Sequence, residues 1–218
     1  MLKKHKNIIL FGSPGAGKTT QIDMLEEAGV DFALVSVGQI LREVVKSGSD
    51  LGRKIDSEMK KGNLVDDNMI IRLVKDKLRD IDKDRMLILD GYPRSLNQVN
   101  VVDDIFEENE LELPIMIYIK ITEEEAFRRL GGRRVCSQCK ENFQISELEN
   151  KEKCPKCGGD LITRADDTRE AINTRFEIFG MQLEILQYYF QKRNRYFEVD
   201  GMNGRESTHK QIMEILEK

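Results

Sequence analysis

Gly12-Ser13-Pro14-Gly15-Ala16-Gly17-Lys18-Thr19 follows the apolar run Ile8-Ile9-Leu10-Phe11, so a glycine-rich turn sits where a short strand hands over to a helix. Glycines let backbone N–H groups curl around a polyphosphate, the helix N-terminus adds its positive end, and a lysine at this spacing reaches the β- and γ-phosphates. Gly15, Ala16, Gly17, Lys18, Thr19 and Thr20 are the predicted cradle, with the Thr19 hydroxyl able to face Mg²⁺. A ligand-free glycine turn is the plainer reading, and the Lys-Thr pair counts against it.

All four cysteines fall in two C-x-x-C pairs, Cys136/Cys139 and Cys154/Cys157. Each pair can direct two thiolates at one ion, so together they predict a closed tetrahedral site in which zinc is structural, because no ligand position remains open. Zinc would staple a segment too small to build its own core. A disulfide or redox pair is the competing reading, and iron or cobalt can also enter a Cys₄ site.

Charge points to phosphoryl transfer. Asp90 closes the apolar run Met86–Leu89, a position suited to holding Mg²⁺ through water; a helix cap or turn is its plainer role. Lys18, Arg42, Arg94, Arg129, Arg133, Arg164 and Arg175 are expected in loops or at helix starts near these motifs. Taken singly, each arginine also reads as a solvated surface residue or the partner of a nearby Asp or Glu. As a set they match what a metaphosphate-like transition state needs, fixed cations around the equatorial oxygens. Asp166 and Asp167 are placed to fix arginines or to cap the following helix.

The elements that must position these groups alternate. Strands are predicted at Ile8–Phe11, Phe32–Ser36, Met86–Leu89, Ile115–Ile121 and Tyr196–Val199. Helices are predicted at Thr19–Ala28, Val37–Ser47, Leu51–Lys61, Asp66–Asp80, Glu123–Leu130, Arg169–Arg193 and Ser207–Lys218. Alternation of this kind implies an α/β doubly wound parallel sheet, with ligands gathered beyond the carboxyl ends of the strands. The chain has 218 residues, 39% of them hydrophobic, and a net charge of -4, so no global basic field exists to hold nucleic acid. A zinc ribbon gripping nucleic acid is disfavoured too, because Val135–Thr163 interleaves lysines with acids and holds a single aromatic, Phe143. Lys3, Lys4 and Lys6 before Ile8 mimic a signal peptide, but the apolar stretch is too short. No segment reaches the roughly 20 apolar residues of a membrane span. A cytoplasmic protein without membrane or nucleic-acid partners is expected.

With these residues in view, the sequence resembles adenylate kinase in its long form, a P-loop kinase with an inserted helical monophosphate-binding segment and a small zinc-stapled lid. The resemblance rests on Gly12–Lys18 with Thr20-Gln21, Ser36–Arg42, Gly62–Val65, Asp90-Gly91-Tyr92-Pro93-Arg94 with Gln98, Arg129, Gly132–Val135, Arg164–Asp167 and Arg175. It implies a core of 1–35, 66–131 and 168–218, an AMP segment of 36–65 and a lid of 132–167. It implies ATP and AMP as substrates, Mg²⁺ with ATP, structural Zn²⁺ and a monomer. Arg129, Arg133 and Met202 would join the phosphate loop at ATP; Val37, Arg42, Leu64, Val65, Gly91, Arg94, Gln98, Arg164 and Arg175 would hold AMP, with Gln98 reading adenine. Lys18, Arg94, Arg129, Arg133, Arg164 and Arg175 would surround the transferring phosphoryl group, and hinges would lie near Gly131-Gly132 and Ala165–Thr168. Thr19, Val37 and Gln39 depart from the usual Gly, Thr and Asp. Kinases of UMP or CMP differ in the same pocket, which leaves the acceptor base as the alternative to test.

Overall fold

The computed structural model describes residues 7–61, 63, 65–149, 152–164 and 167–217. In chain order the main elements are β1 (Ile8–Gly12), α1 (Lys18–Glu27), β2 (Phe32–Ser36), α2 (Val37–Lys46), α3 (Asp50–Lys61), α4 (Asp67–Arg79), β3 (Met86–Asp90), α5 (Leu96–Asn100), α6 (Val102–Glu108), β4 (Ile115–Lys120) and α7 (Glu123–Gly131). Then come β5 (Arg133–Cys136), β6 (Asn142–Gln144), β7 (Leu161–Ile162), α8 (Arg169–Gln191), β8 (Tyr196–Asp200) and α9 (Arg205–Leu216).

The five long strands form one parallel sheet in the order β2-β3-β1-β4-β8. Continuous apolar runs suit them because both faces are covered. Successive side chains of β1 alternate: Ile8 and Leu10 join the core under α1 and α9, while Ile9 and Phe11 join the larger core with α2 to α6 and α8. Asn7, 4% exposed, ties the lower edge of the sheet. Its Oδ1 accepts from Leu87 N at 2.9 Å, its Nδ2 donates to Glu112 O at 2.7 Å, and its carbonyl accepts from Ile115 N at 2.9 Å.

Two short helices, α5 and α6, lie where the sequence predicted none. α5 starts at Ser95, whose Oγ accepts from Gln98 N at 3.2 Å. β5, β6 and β7 form a separate antiparallel sheet around the cysteines. The expectation that the arginines sit in loops or at helix starts is corrected here. Arg42 lies within α2, Arg129 in the last turn of α7, Arg133 at the start of β5 and Arg175 within α8; Arg94 and Arg164 are on connections. Rigid elements hold four of the six arginines, which fixes their geometry better than loops would.

Candidate active site

The phosphate loop takes its shape from its glycines. Gly15 and Gly17 have φ of +83° and +92°, a region closed to most residues, and Gly17 is the residue before the first turn of α1. Lys18 opens that helix. Its ammonium donates to Gly12 O at 2.8 Å and Ser13 O at 3.3 Å. Removal from water lowers its pKa to about 8; Asp90 pulls it back up, and Arg94, Arg175 and Arg133 push it further down. These influences record the clustering of one carboxylate and three guanidinium groups around the lysine.

Asp90 is no cap. It ends β3, and its Oδ2 accepts from Ser36 Oγ at 3.0 Å, a link between neighbouring strand ends β2 and β3. Gly91 has φ of +80°, and a Cβ there would lie 2.8 Å from Arg94 Nη2, so the guanidinium rests over bare backbone. The protein walls around Arg94 lower its pKa by desolvation, with Asp90 acting in the opposite direction. Gln98, 3% exposed, accepts at Oε1 from Arg94 N at 2.8 Å and donates from Nε2 to Asp67 Oδ1 at 2.7 Å. Asp67 also accepts from Ser95 Oγ at 2.6 Å. Gln98 thus locks Arg94 while one N–H and one lone pair stay available.

Partners on neighbouring elements hold Arg129, Arg133, Arg164 and Arg175. Arg129 donates to Glu125 Oε1 at 2.7 Å and to Gly201 O at 2.8 Å, which ties α7 to the loop after β8. Glu125 also accepts from Arg128, and these bonds hold its carboxyl at a pKa of about 2. Arg164 donates to Asn142 Oδ1 at 2.6 Å. Asp167, its side chain fully buried, accepts from Arg133 through Nε at 2.8 Å and through Nη2, and pairs with Arg175 at 3.6 Å. Of its two readings, fixing arginines holds: Thr168 caps α8, its side chain accepting from Ala171 N.

One cleft of about 1490 Å³ gathers these groups. Its lining includes Gly15–Thr20, Val37, Arg42, Val65, Asp90, Gly91, Arg94, Gln98, Arg129, Arg133, Arg164, Arg175 and Met202. Leu64, Gly62, Ala165 and Asp166 lie outside the described residues. The cleft exceeds the 300–1,000 Å³ common for a single small ligand, so it has room for two nucleotides. The hard oxygens of Asp90, Thr19 and Thr20 in the lining fit Mg²⁺ accompanying a triphosphate.

The four cysteine Sγ atoms lie within 4.8 Å of one another, with Cys136–Cys157 at 3.4 Å and Cys139–Cys154 at 3.7 Å. No disulfide joins them. Tetrahedral zinc at Zn–S of about 2.3 Å has S–S edges of about 3.8 Å, so this cluster fits zinc. Burial raises the Cys136 thiol, but backbone N–H groups of Gln138 and Cys139 and the thiols of Cys157 and Cys139 outweigh it and draw it down, while the same crowding of sulfurs pushes Cys139 up. A Cβ on Gly159 would lie 2.9 Å from Cys136 Sγ, so the turn after the second pair needs a bare backbone.

A family profile described as adenylate kinase matches residues 10–195. The chain is 37% identical over 214 residues to an adenylate kinase of Archaeoglobus fulgidus, covering 97% of this chain and 98% of that protein. It is 39% identical over 195 residues to one of Methanocella arvoryzae, covering 88% and 90%. An adenylate kinase of Petrotoga mobilis is 36% identical over 213 residues, 96% of each chain. Similarity that runs nearly end to end, over a cleft built for two phosphate chains, makes this chain a member of the adenylate kinase family.

Proposed function

We propose that the cleft catalyses reversible, Mg²⁺-dependent transfer of the γ-phosphoryl group of ATP to AMP, giving two ADP by direct in-line displacement. The observation that carries this is the convergence of Lys18, Arg94, Arg133 and Arg175 on the surroundings of Asp90 inside a two-ligand cleft. The donor side is formed by Gly15–Thr20, Arg129, Arg133 and Met202. The acceptor side is formed by Val37, Arg42, Leu64, Val65, Gly91, Arg94, Gln98, Arg164 and Arg175. Residues 36–65 act as the acceptor segment and 132–167 as the lid, both mounted on the core.

The mechanism follows from charge. The acceptor's phosphate oxygen is already anionic, so no side chain need remove a proton before attack. Lys18 and the arginines offset the repulsion between two polyanions and stabilise charge on the equatorial oxygens, and they are held in place before substrate arrives. Asp167 fixes Arg133 and Arg175, and Gln98 fixes the backbone of Arg94. Asp90, Thr19 and Thr20 would hold Mg²⁺ with ATP, and its charge would offset that of the phosphates. Covering the cleft excludes water, which would otherwise take the phosphoryl group. The enzyme acts as a cytoplasmic monomer on these small molecules alone; no described helix is long and apolar enough to cross a membrane.

A panel of AMP, CMP, UMP, GMP and dTMP as separate acceptors, with ADP release from ATP as the readout, tests the assignment. AMP is expected to be the fastest acceptor, and Arg94→Ala should abolish most turnover while the protein stays folded. Faster transfer to UMP or CMP, or wild-type turnover in Arg94→Ala, overturns it.

A further inference from the structure

One face of α8 lines the cleft: Arg175, Ile178, Phe179 and Gln182 follow the i, i+3, i+4, i+7 pattern of a single helix stripe. Seven residues separate Arg175 from Gln182, roughly 10 Å along the axis, which is of the order that separates a nucleotide's phosphate from its base. Here α8 packs against α3 and α5, the elements bounding the acceptor half. Val37, Leu41, Met59, Val65 and Ile70 give the cleft lining apolar surface there, beside the polar Ser36, Arg42 and Asn63.

Gln182 is the buried polar side chain of the α8 stripe. It is 7% exposed, and its Nε2 is buried without a hydrogen-bond partner among the described residues. A buried amide left unsatisfied by the protein is costly, and a ligand that completes it gains the difference. The other buried amide on this wall, Gln98, is half committed to Arg94 and Asp67. Val37 offers no hydroxyl. We infer that Gln182 is a base-recognition residue for the acceptor nucleotide, its amide donating to a ring nitrogen of adenine and accepting from the exocyclic amino group. Glutamine pairs with adenine's N6/N7 edge in the same bidentate way. Together with the free positions of Gln98, it gives the pocket two buried amide contacts with which to distinguish bases.

This inference rests on the acceptor half assigned above, and the experiment separates the two. Initial rates for wild type, Gln182→Leu and Gln182→Met are measured with AMP and UMP varied at fixed MgATP, and with MgATP varied at fixed AMP. Wild-type turnover of AMP tests the broader assignment by itself. For Gln182, the expected result is a rise of about tenfold in KM for AMP, with KM for ATP within twofold and AMP's preference over UMP reduced by a similar factor; tenfold corresponds to about 1.4 kcal/mol. Melting temperature should hold or rise, because the substitution removes a buried amide without a partner. KM for AMP within twofold of wild type in both variants overturns the inference. So does a parallel rise for AMP and ATP with a lowered melting temperature, which marks a packing role.

Discussion

Lys18 provides the sharpest test of the charge argument, because only its protonated form attracts phosphate. Withdrawal from water brings its pKa from 10.5 to about 8 in the free enzyme, against the pull of Asp90 and with help from Arg94, Arg175 and Arg133. At pH 7 about nine-tenths of the lysine is then charged, and at pH 9 about one-tenth. In the rising-pH direction kcat/KM for MgATP, which reports the free enzyme, should bend near pH 8 and fall about tenfold per unit above it. Bound phosphates stabilise the ammonium, so kcat at saturation should stay level to higher pH. The stability linkage has the opposite sign. The folded pKa lies below the unfolded one, so the unfolded chain binds more protons between about pH 8 and 10.5, and this residue's contribution makes the fold more stable as pH rises there. Loss of rate through unfolding is thereby separable by urea melts at each pH. Initial rates at constant ionic strength from about pH 6.5 to 10 provide the assay, with Lys18→Arg as control, since its guanidinium does not titrate in this range. A flat wild-type kcat/KM to pH 10, or the same bend in Lys18→Arg, refutes the reasoning.

Two further predictions follow from local geometry. Gly91→Ala puts a Cβ into left-handed backbone and 2.8 Å from Arg94 Nη2; urea melts should show a loss of roughly 1–2 kcal/mol, and steady-state kinetics should show a rise of about tenfold or more in KM for AMP with KM for ATP little changed. Cys154→Ser should lose bound zinc by metal analysis and lower the melting temperature while sparing much of the turnover, because the cysteines stand apart from the cations of the cleft; identical melting of the wild type with and without chelator would exclude a structural metal.

What the sequence made legible was whatever carries a local signal. Apolar runs placed β1, β3 and β4 within a residue, since strands buried on both faces need no alternation. Gly-rich and C-x-x-C spacings located the phosphate loop and the thiol cluster. The short helices α5 and α6 escaped because a five- and a seven-residue helix hold too few turns for periodicity to emerge. Strands of two to four residues around the cysteines escaped for the same reason. Partners distant in sequence were mostly illegible: Asp67 beneath Gln98 and Asn142 beside Arg164 meet their residues only through the fold. Gln182 gave no warning, as one amide in a 23-residue helix looks like any other until its surroundings are known.

The junction at Asn7 bears on how the chain reaches its native state. Its two side-chain bonds span 80 and 105 residues, and β1 has neighbours only in β3 and β4. During synthesis at ~5–20 residues per second, Ile8–Gly12 therefore waits roughly 4–16 s before its first parallel mate has been made. Such high contact order slows folding and leaves the apolar Ile8–Gly12 segment without its mates meanwhile. The interval before Met86–Asp90 has been made is thus one in which this segment is open to aggregation and has something to gain from a holding chaperone.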